Sequence, residues 1–214
     1  MTFTVRDEEP PDDIVVVVRG GIATADSLRR TAEVSMSLHG FYGVSVFLAI
    51  GMTVEGLVRR TPELGPERYR ELRTSTVGAL RSAGFQLVAT GAWPHFDVVL
   101  ADLGDGTIEV FGSCFGPPSR TPASGENGVL ITWDLWIDYQ AKQPGGLTPT
   151  LARFAHPGVV IEVGRYVVVG ADDAEPAVAE IVEVRDDGVV LVRVLPGPAS
   201  GHLELVAASR QISS

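Results

Sequence analysis

The sequence predicts an α/β (or α+β) N-terminal module with a central sheet, followed by a small all-β, barrel-like C-terminal module. Three observations carry this. Up to about residue 115, apolar β-branched runs alternate with stretches of helical period. The segment Gly116-Pro117-Pro118-Ser119-Arg120-Thr121-Pro122-Ala123-Ser124-Gly125-Glu126-Asn127-Gly128 then carries almost no apolar bulk. Its prolines and glycines oppose helix and central strand alike, so 116–128 reads as a linker. Beyond it, residues 129–214 run through short strand-like segments separated by turn signals, the pattern of a small SH3-like or OB-like barrel.

Taken in order, Ile14-Val15-Val16-Val17-Val18 is a continuous apolar run, as expected of a strand covered on both faces. Gly20-Gly21 ends it, and Thr24 can cap a helix through Leu28, Ala32 and Ser35 that stops at Gly40. Phe41 to Ile50 is a second apolar strand, and Thr53 caps a short helix bearing Val54, Leu57 and Val58. Pro66 to Ala83 reads as helical, with a break near Ser75 and with Leu72, Val77 and Leu80 inward. Gly84 suits a helix C-cap before the strand Phe85–Ala89, and His95–Leu100 and Thr107–Phe111 supply two further elements. In the second half, 129–139, 159–163, 166–169, 178–184 and 189–194 are strand-like. Asp186-Asp187-Gly188 is a hairpin signal, because glycine accepts the positive φ such a turn needs.

The chain has 214 residues, 45% of them hydrophobic and 21% charged, ample for a real core. A net charge of −10 argues against a general polyanion binder. The single cysteine, Cys114, excludes an internal disulfide framework and a cysteine-rich metal site. His39, His95, His156 and His202 are scattered, and no phosphate loop or dinucleotide fingerprint is present, so neither metal nor cofactor is expected. The first nine residues are acidic, without an apolar core, and the longest stretch free of charged residues and histidine, Gly40 to Val54, is too short to span a bilayer. A soluble cytoplasmic protein with no membrane contact is the expectation.

Charge is uneven. Through Arg120 there are 11 basic and 15 acidic residues, and after it 6 and 12. Within residues 59–81, however, Arg59, Arg60, Arg68, Arg70, Arg73 and Arg81 face only Glu63, Glu67 and Glu71. Such a segment is either a solvated helix face with internal ion pairs or an anion-binding surface, and Arg68, Arg70 and Arg73 are its candidate ligand-binding residues. Arg19, ending an all-valine strand before Gly20-Gly21, sits where open α/β sheets bind ligands, and the two glycines would admit a close backbone approach. Tyr42 and Ser45 add polar groups near the same layer. His95 and Asp97 lie two apart, hence on one face of a strand, where the carboxylate could orient the imidazole as a general base. Arg19 and His95 are therefore the candidate catalytic residues, with Gly20, Gly21, Tyr42 and Ser45 as ligand-binding neighbours. Trp133 and Trp136 would fall on opposite faces of a strand, so one of them could be exposed at an interface.

The runs Val15-Val16-Val17-Val18-Arg19-Gly20-Gly21, Phe41-Tyr42-Gly43-Val44-Ser45-Val46-Phe47, Ser75-Thr76-Val77-Gly78-Ala79-Leu80-Arg81 and Pro94-His95-Phe96-Asp97-Val98-Val99-Leu100 resemble an uncharacterised family of actinobacterial proteins over about residues 12–116. The later half, with Trp136-Ile137-Asp138-Tyr139-Gln140 and Leu191-Val192-Arg193-Val194-Leu195-Pro196-Gly197, is similar to short proteins of neighbouring reading frames. That pairing implies a toxin–antitoxin-like arrangement in one chain, and it carries no catalytic residues across.

Three readings follow. In the first, the acidic C-terminal module docks on and masks an Arg-bearing N-terminal module that acts on RNA or a nucleotide, an intramolecular contact favoured by the tether. In the second, the chain is a non-enzymatic interaction or assembly protein with a protein partner. In the third, it is an enzyme with a small-molecule pocket at the Arg19-Gly20-Gly21 strand end. The oligomeric state is left open.

Overall fold

The structure is a computed structural model that describes residues 9–18, 24–61, 64, 68–69, 71–91, 93–120, 132–143, 145–172 and 174–211. The first half runs β1 (Val15–Val18), α1 (Ala25–His39), β2 (Tyr42–Leu48), α2 (Val54–Arg60), β3 (Glu71–Thr76), α3 (Val77–Ser82), β4 (Gln86–Val88), β5 (His95–Leu100), α4 (Asp105–Ser113) and β6 (Ser119–Arg120). Its strands form one sheet in the order β4-β5-β2-β1-β3-β6. Each neighbouring pair is antiparallel, so the mixed class is realised in its α+β form. The expected caps are in place. Thr24 Oγ1 accepts from the Ser27 N–H, and Gly40, at φ 79°, closes α1 by donating to Met36 O.

Two first-half elements differ from expectation. Residues 71–76, read as helix, are strand β3, and the helix starts only at Val77, where Thr76 Oγ1 accepts the Ala79 N–H. Leu72, Val77 and Leu80 match a helical period by number, but the Thr74-Ser75-Thr76 run between them prefers the extended chain. The element near Thr107–Phe111 is the helix α4, which buries Ile108 and Phe111 at a spacing of three.

The second half forms a five-stranded sheet, β7 (Leu135–Trp136), β8 (Thr148–Leu151), β9 (Tyr166–Ala171), β10 (Ala174–Val184) and β11 (Val189–Val194), in the order β7-β9-β10-β11-β8. It curls into a half-barrel, and its two edges approach where Thr150 Oγ1 donates to Trp136 O at 2.6 Å and Leu135 bridges Ala155. The Asp186-Asp187-Gly188 turn joins β10 to β11 as expected, with Gly188 at φ 84°. Residues 159–163, read as a strand, lie outside any strand, between turns at Pro157-Gly158 and Val163-Gly164. Within the segment 129–139 the strand covers only Leu135–Trp136, and residues 129–131 lie outside the described residues. Two elements were not foreseen: β8, and the closing helix α5 (Leu203–Gln211), which packs beside β9.

The core does not respect the expected boundary. Val17, Phe47, Leu57, Leu64, Tyr69 and Leu72 from the first half share one buried cluster with Leu135, Ile137, Tyr139, Val169, Ala179 and Val192 from the second. Helix α1 joins the halves again, because Leu28 and Ala32 pack with Val44 and Val46 while Val34 packs with Trp136, Leu151 and Leu191. Of the expected linker, Gly116 donates to Thr74 O, and Ser119–Arg120 pair with Glu71 and Leu72 as strand β6. Residues 121–128 lie outside the described residues.

Candidate functional site

Strand register builds the most polar buried spot. In the β2–β5 pair Ser45 lies opposite Asp97 and Phe47 opposite His95, so Ser45, His95 and Asp97 share one face. Asp97 accepts from Ser45 Oγ at 3.1 Å and, across from α1, from Ser35 Oγ at 3.1 Å. His95 Nε2 stands 4.0 Å from Asp97 Oδ1, and its Nδ1 is 3.3 Å from Thr90 Oγ1. Gly43 is what lets α1 come so close: a Cβ there would lie 2.5 Å from Ser35 Oγ and 2.9 Å from Asp97 Oδ2. Lys142, Gln143 and Pro149 from the second half cover the group, leaving a cavity of about 20 Å³. That is room for one water and not for a substrate.

The hydrogen-bond order also matters chemically. A nucleophilic serine is activated by a bond to the imidazole, which the carboxylate orients in turn. Here both serine hydroxyls donate to the carboxylate, so they satisfy its buried oxygens.

A second buried carboxylate repeats the arrangement. Asp138, just after β7, accepts from Thr31 Oγ1 at 3.0 Å and from the Gln140 N–H at 3.0 Å. Thr31 and Ser35 are four apart on α1, so one helix face carries the hydroxyls that hold both aspartates. Sequence reasoning missed Thr31, Ser35 and Asp138; the available signal was Ser27, Thr31 and Ser35 at intervals of four along a helix with Leu28 and Ala32 beside them.

The other candidates separate. Tyr42 opens β2 opposite Leu100 and packs against the cluster of Val44 and Val46, on the opposite sheet face from Ser45. Arg68 is buried between the halves, donating from Nη1 to Gly197 O at 3.3 Å and from Nη2 to Leu195 O at 3.3 Å, with its guanidinium 5.2 Å from the centre of the Tyr139 ring. Arg73 lies on β3 opposite Val18, partly exposed. Arg19, Gly20, Gly21 and Arg70 lie outside the described residues. The structure therefore brings His95 and Ser45 together, places Tyr42 elsewhere, and directs Arg68 to backbone carbonyls. One ion pair that crosses the halves, Glu33 with Arg153 at 2.7 Å, has its acidic partner in the first half, opposite to the charge argument.

Tyr139 seals the same seam. Its hydroxyl lies 3.0 Å from Val169 O and 3.1 Å from Glu175 O, and its ring meets Tyr69 edge-on. Burial pushes the phenol well above its usual value, against the opposing pull of Arg68. An unfolded tyrosine ionises near pH ~10. The unfolded chain therefore releases a proton there that the folded chain keeps, so this stability is complete below about pH 10 and declines above it. Tyr139→Phe is expected to cost about 1–3 kcal/mol at pH 8 by removing the hydroxyl's hydrogen bond to a carbonyl at this seam. It should also flatten the alkaline decline. Urea unfolding of both proteins at pH 8 and in the alkaline range reads both effects.

Among the described residues no three His, Cys, Asp or Glu side chains gather as around a metal ion, and no helix is long and apolar enough to cross a membrane. Comparison of the chain with protein-family models, with curated proteins and with solved structures returned no match.

Proposed function

We propose that this chain is a non-enzymatic interaction protein that acts as one body through its outer surface. The observation that carries this reading is the position of the candidate catalytic group. His95, Ser45 and Asp97 lie beneath the second half in a cavity of about 20 Å³, and the core runs through both halves. An activity masked by the second half would need a surface that opening could uncover. What lies between the halves instead is close-packed side chains and the Arg68 guanidinium on two carbonyls.

Of the three tryptophans, Trp136 is fully buried and Trp93 is 45% exposed, stacked edge-on against Phe96. Trp93 lies in the connection from β4 to β5, and β4 is an edge strand of its sheet. A short edge strand beside an exposed indole suits a protein partner that adds an extended segment to the sheet and packs an apolar side chain on the ring. Binding measured with the immobilised full chain and proteins of its native host tests this. Trp93→Ala should weaken retention of a specific partner at least tenfold while the melting temperature falls by no more than about 4 °C, and Ser45→Ala should leave retention unchanged. A folded Ser45→Ala or His95→Asn protein that loses a chemical activity of the wild type would overturn the reading.

A further inference from the structure

One recess among the described residues plays no part in that reading. It is a half-open groove of about 390 Å³ between the Pro157–Val160 turn, the start of β9 and the last turn of α5, with Asp134 at its base. That volume falls in the range of small-molecule sites.

Its walls are fixed by polar bonds. Arg165 donates from Nε to Glu162 at 2.7 Å and from Nη1 to Ser209 O at 2.8 Å, tying the turn before β9 to α5. The Tyr166 N–H donates to Ser209 Oγ at 3.0 Å. Asp134 accepts the Val168 N–H on Oδ2 and Arg210 Nη2 on Oδ1, at 2.9 and 2.8 Å. Arg210 thus crosses from the helix end, held by one terminal nitrogen, with a side chain 65% exposed. The floor is different in kind: Pro157, Val159, Val160 and Val167 offer hydrocarbon, and Val160 is left 42% exposed.

We propose that this groove binds a small carboxylic acid with an apolar body, its carboxylate on the Arg210 fork and its hydrocarbon on the valine floor. The guanidinium plane matches a carboxylate with two parallel hydrogen bonds. Arg165 pairs with Glu162 and Arg210 with Asp134. An arriving acid meets two guanidinium groups and two fixed carboxylates, and what favours it over other anions is the apolar floor. Inorganic phosphate or sulfate would have to leave water for valine side chains and would gain nothing there. This site is independent of Trp93 and β4, which belong to the other sheet.

Titration of the full chain, labelled with nitrogen-15, with hexanoate and with 3-phenylpropionate tests the proposal, using hexanamide and inorganic phosphate as controls. Saturable amide shifts are expected at 158–160, 165–167 and 209–210 with both acids, and hexanamide and phosphate should bind at least tenfold more weakly. Arg210→Gln, checked to keep the wild-type amide pattern away from the groove, should weaken hexanoate at least tenfold. Arg210→Lys, which keeps the charge and loses the fork, should fall between. Absence of saturable shifts with both acids, equal binding of hexanamide, shifts centred elsewhere, or undiminished binding to Arg210→Gln would each overturn it.

Discussion

A chain ending at Gly116 is expected to be unfolded by itself. Val17, Phe47, Leu57 and Leu72 are all under about a tenth exposed in the whole protein, and their cover includes Ile137, Tyr139, Val169 and Val192 from the second half. Burying one such side chain contributes about 1.5–3 kcal/mol, so wetting four of them removes on the order of 10 kcal/mol. That is comparable with the entire stability of a domain, about 5–15 kcal/mol. Asp97 would also lose its lid of Lys142, Gln143 and Pro149. Circular dichroism and amide dispersion of the 1–116 fragment check this, with the full chain as reference. Inducing the fragment in cells should be harmless, because an unfolded chain is cleared before it can act. A fragment that gives a cooperative melt and native-like dispersion would separate the halves. If it also arrests growth while the full chain does not, the toxin–antitoxin-like arrangement becomes the better account.

What could be read from the sequence, and what could not, follows from how each element is covered. β1 and β2 are legible as unbroken apolar runs because both faces of the sheet are packed, Val16 and Val17 going to different clusters. α1 is legible from Thr24 and Gly40, two local devices that need no tertiary partner. β8 hides behind Pro149, which reads as a strand breaker but is tolerated because β8 is an edge strand. α5 carries little apolar signal, Val206 being its one deeply buried hydrophobic residue. At the site, the period of two along β5 puts His95 and Asp97 on one face. The bonds that define the site join residues far apart in the chain: Ser35 to Asp97, and Thr31 to Asp138. No spacing rule reaches across such distances. Arg68 shows the same limit for charge. Counting suggested an exposed basic segment, whereas the packing of Tyr69 and Tyr139 draws this arginine inside to two carbonyls.

Trp136→Ala is expected to be the most damaging single substitution, and to act first on α1. Trp136 occupies a strand of two residues, too short to be held by its ladder alone, and is fully buried. Its ring packs among Val34, Leu151, Ala171 and Leu191, with Phe154 edge-on at 5.6 Å and the Arg30 guanidinium 6.0 Å from its centre. Val34 and Arg30 both belong to α1, so the indole is the main body on which that helix meets the second half. Removing it should cost about 3–5 kcal/mol, the range for tryptophan or phenylalanine truncated in a core. At roughly 2–4 °C per kcal/mol for a chain of this size, the melting temperature should fall by about 10 °C. Trp93→Ala, at an exposed ring, should cost about 1 kcal/mol or less. The cavity opens beside the face of α1 that carries Thr31 and Ser35, so the hold on Asp138 and Asp97 should loosen with it. Hydrogen exchange distinguishes this from a uniform loss of stability: amides of α1 should lose more protection than those of α3, which packs in the other core with Val77 and Leu80. Equal loss in both helices would mean that α1 is held mainly by the first sheet. A melting temperature within about 2 °C of wild type, the low end of the shift expected from about 1 kcal/mol, would mean that the indole is not what joins the halves.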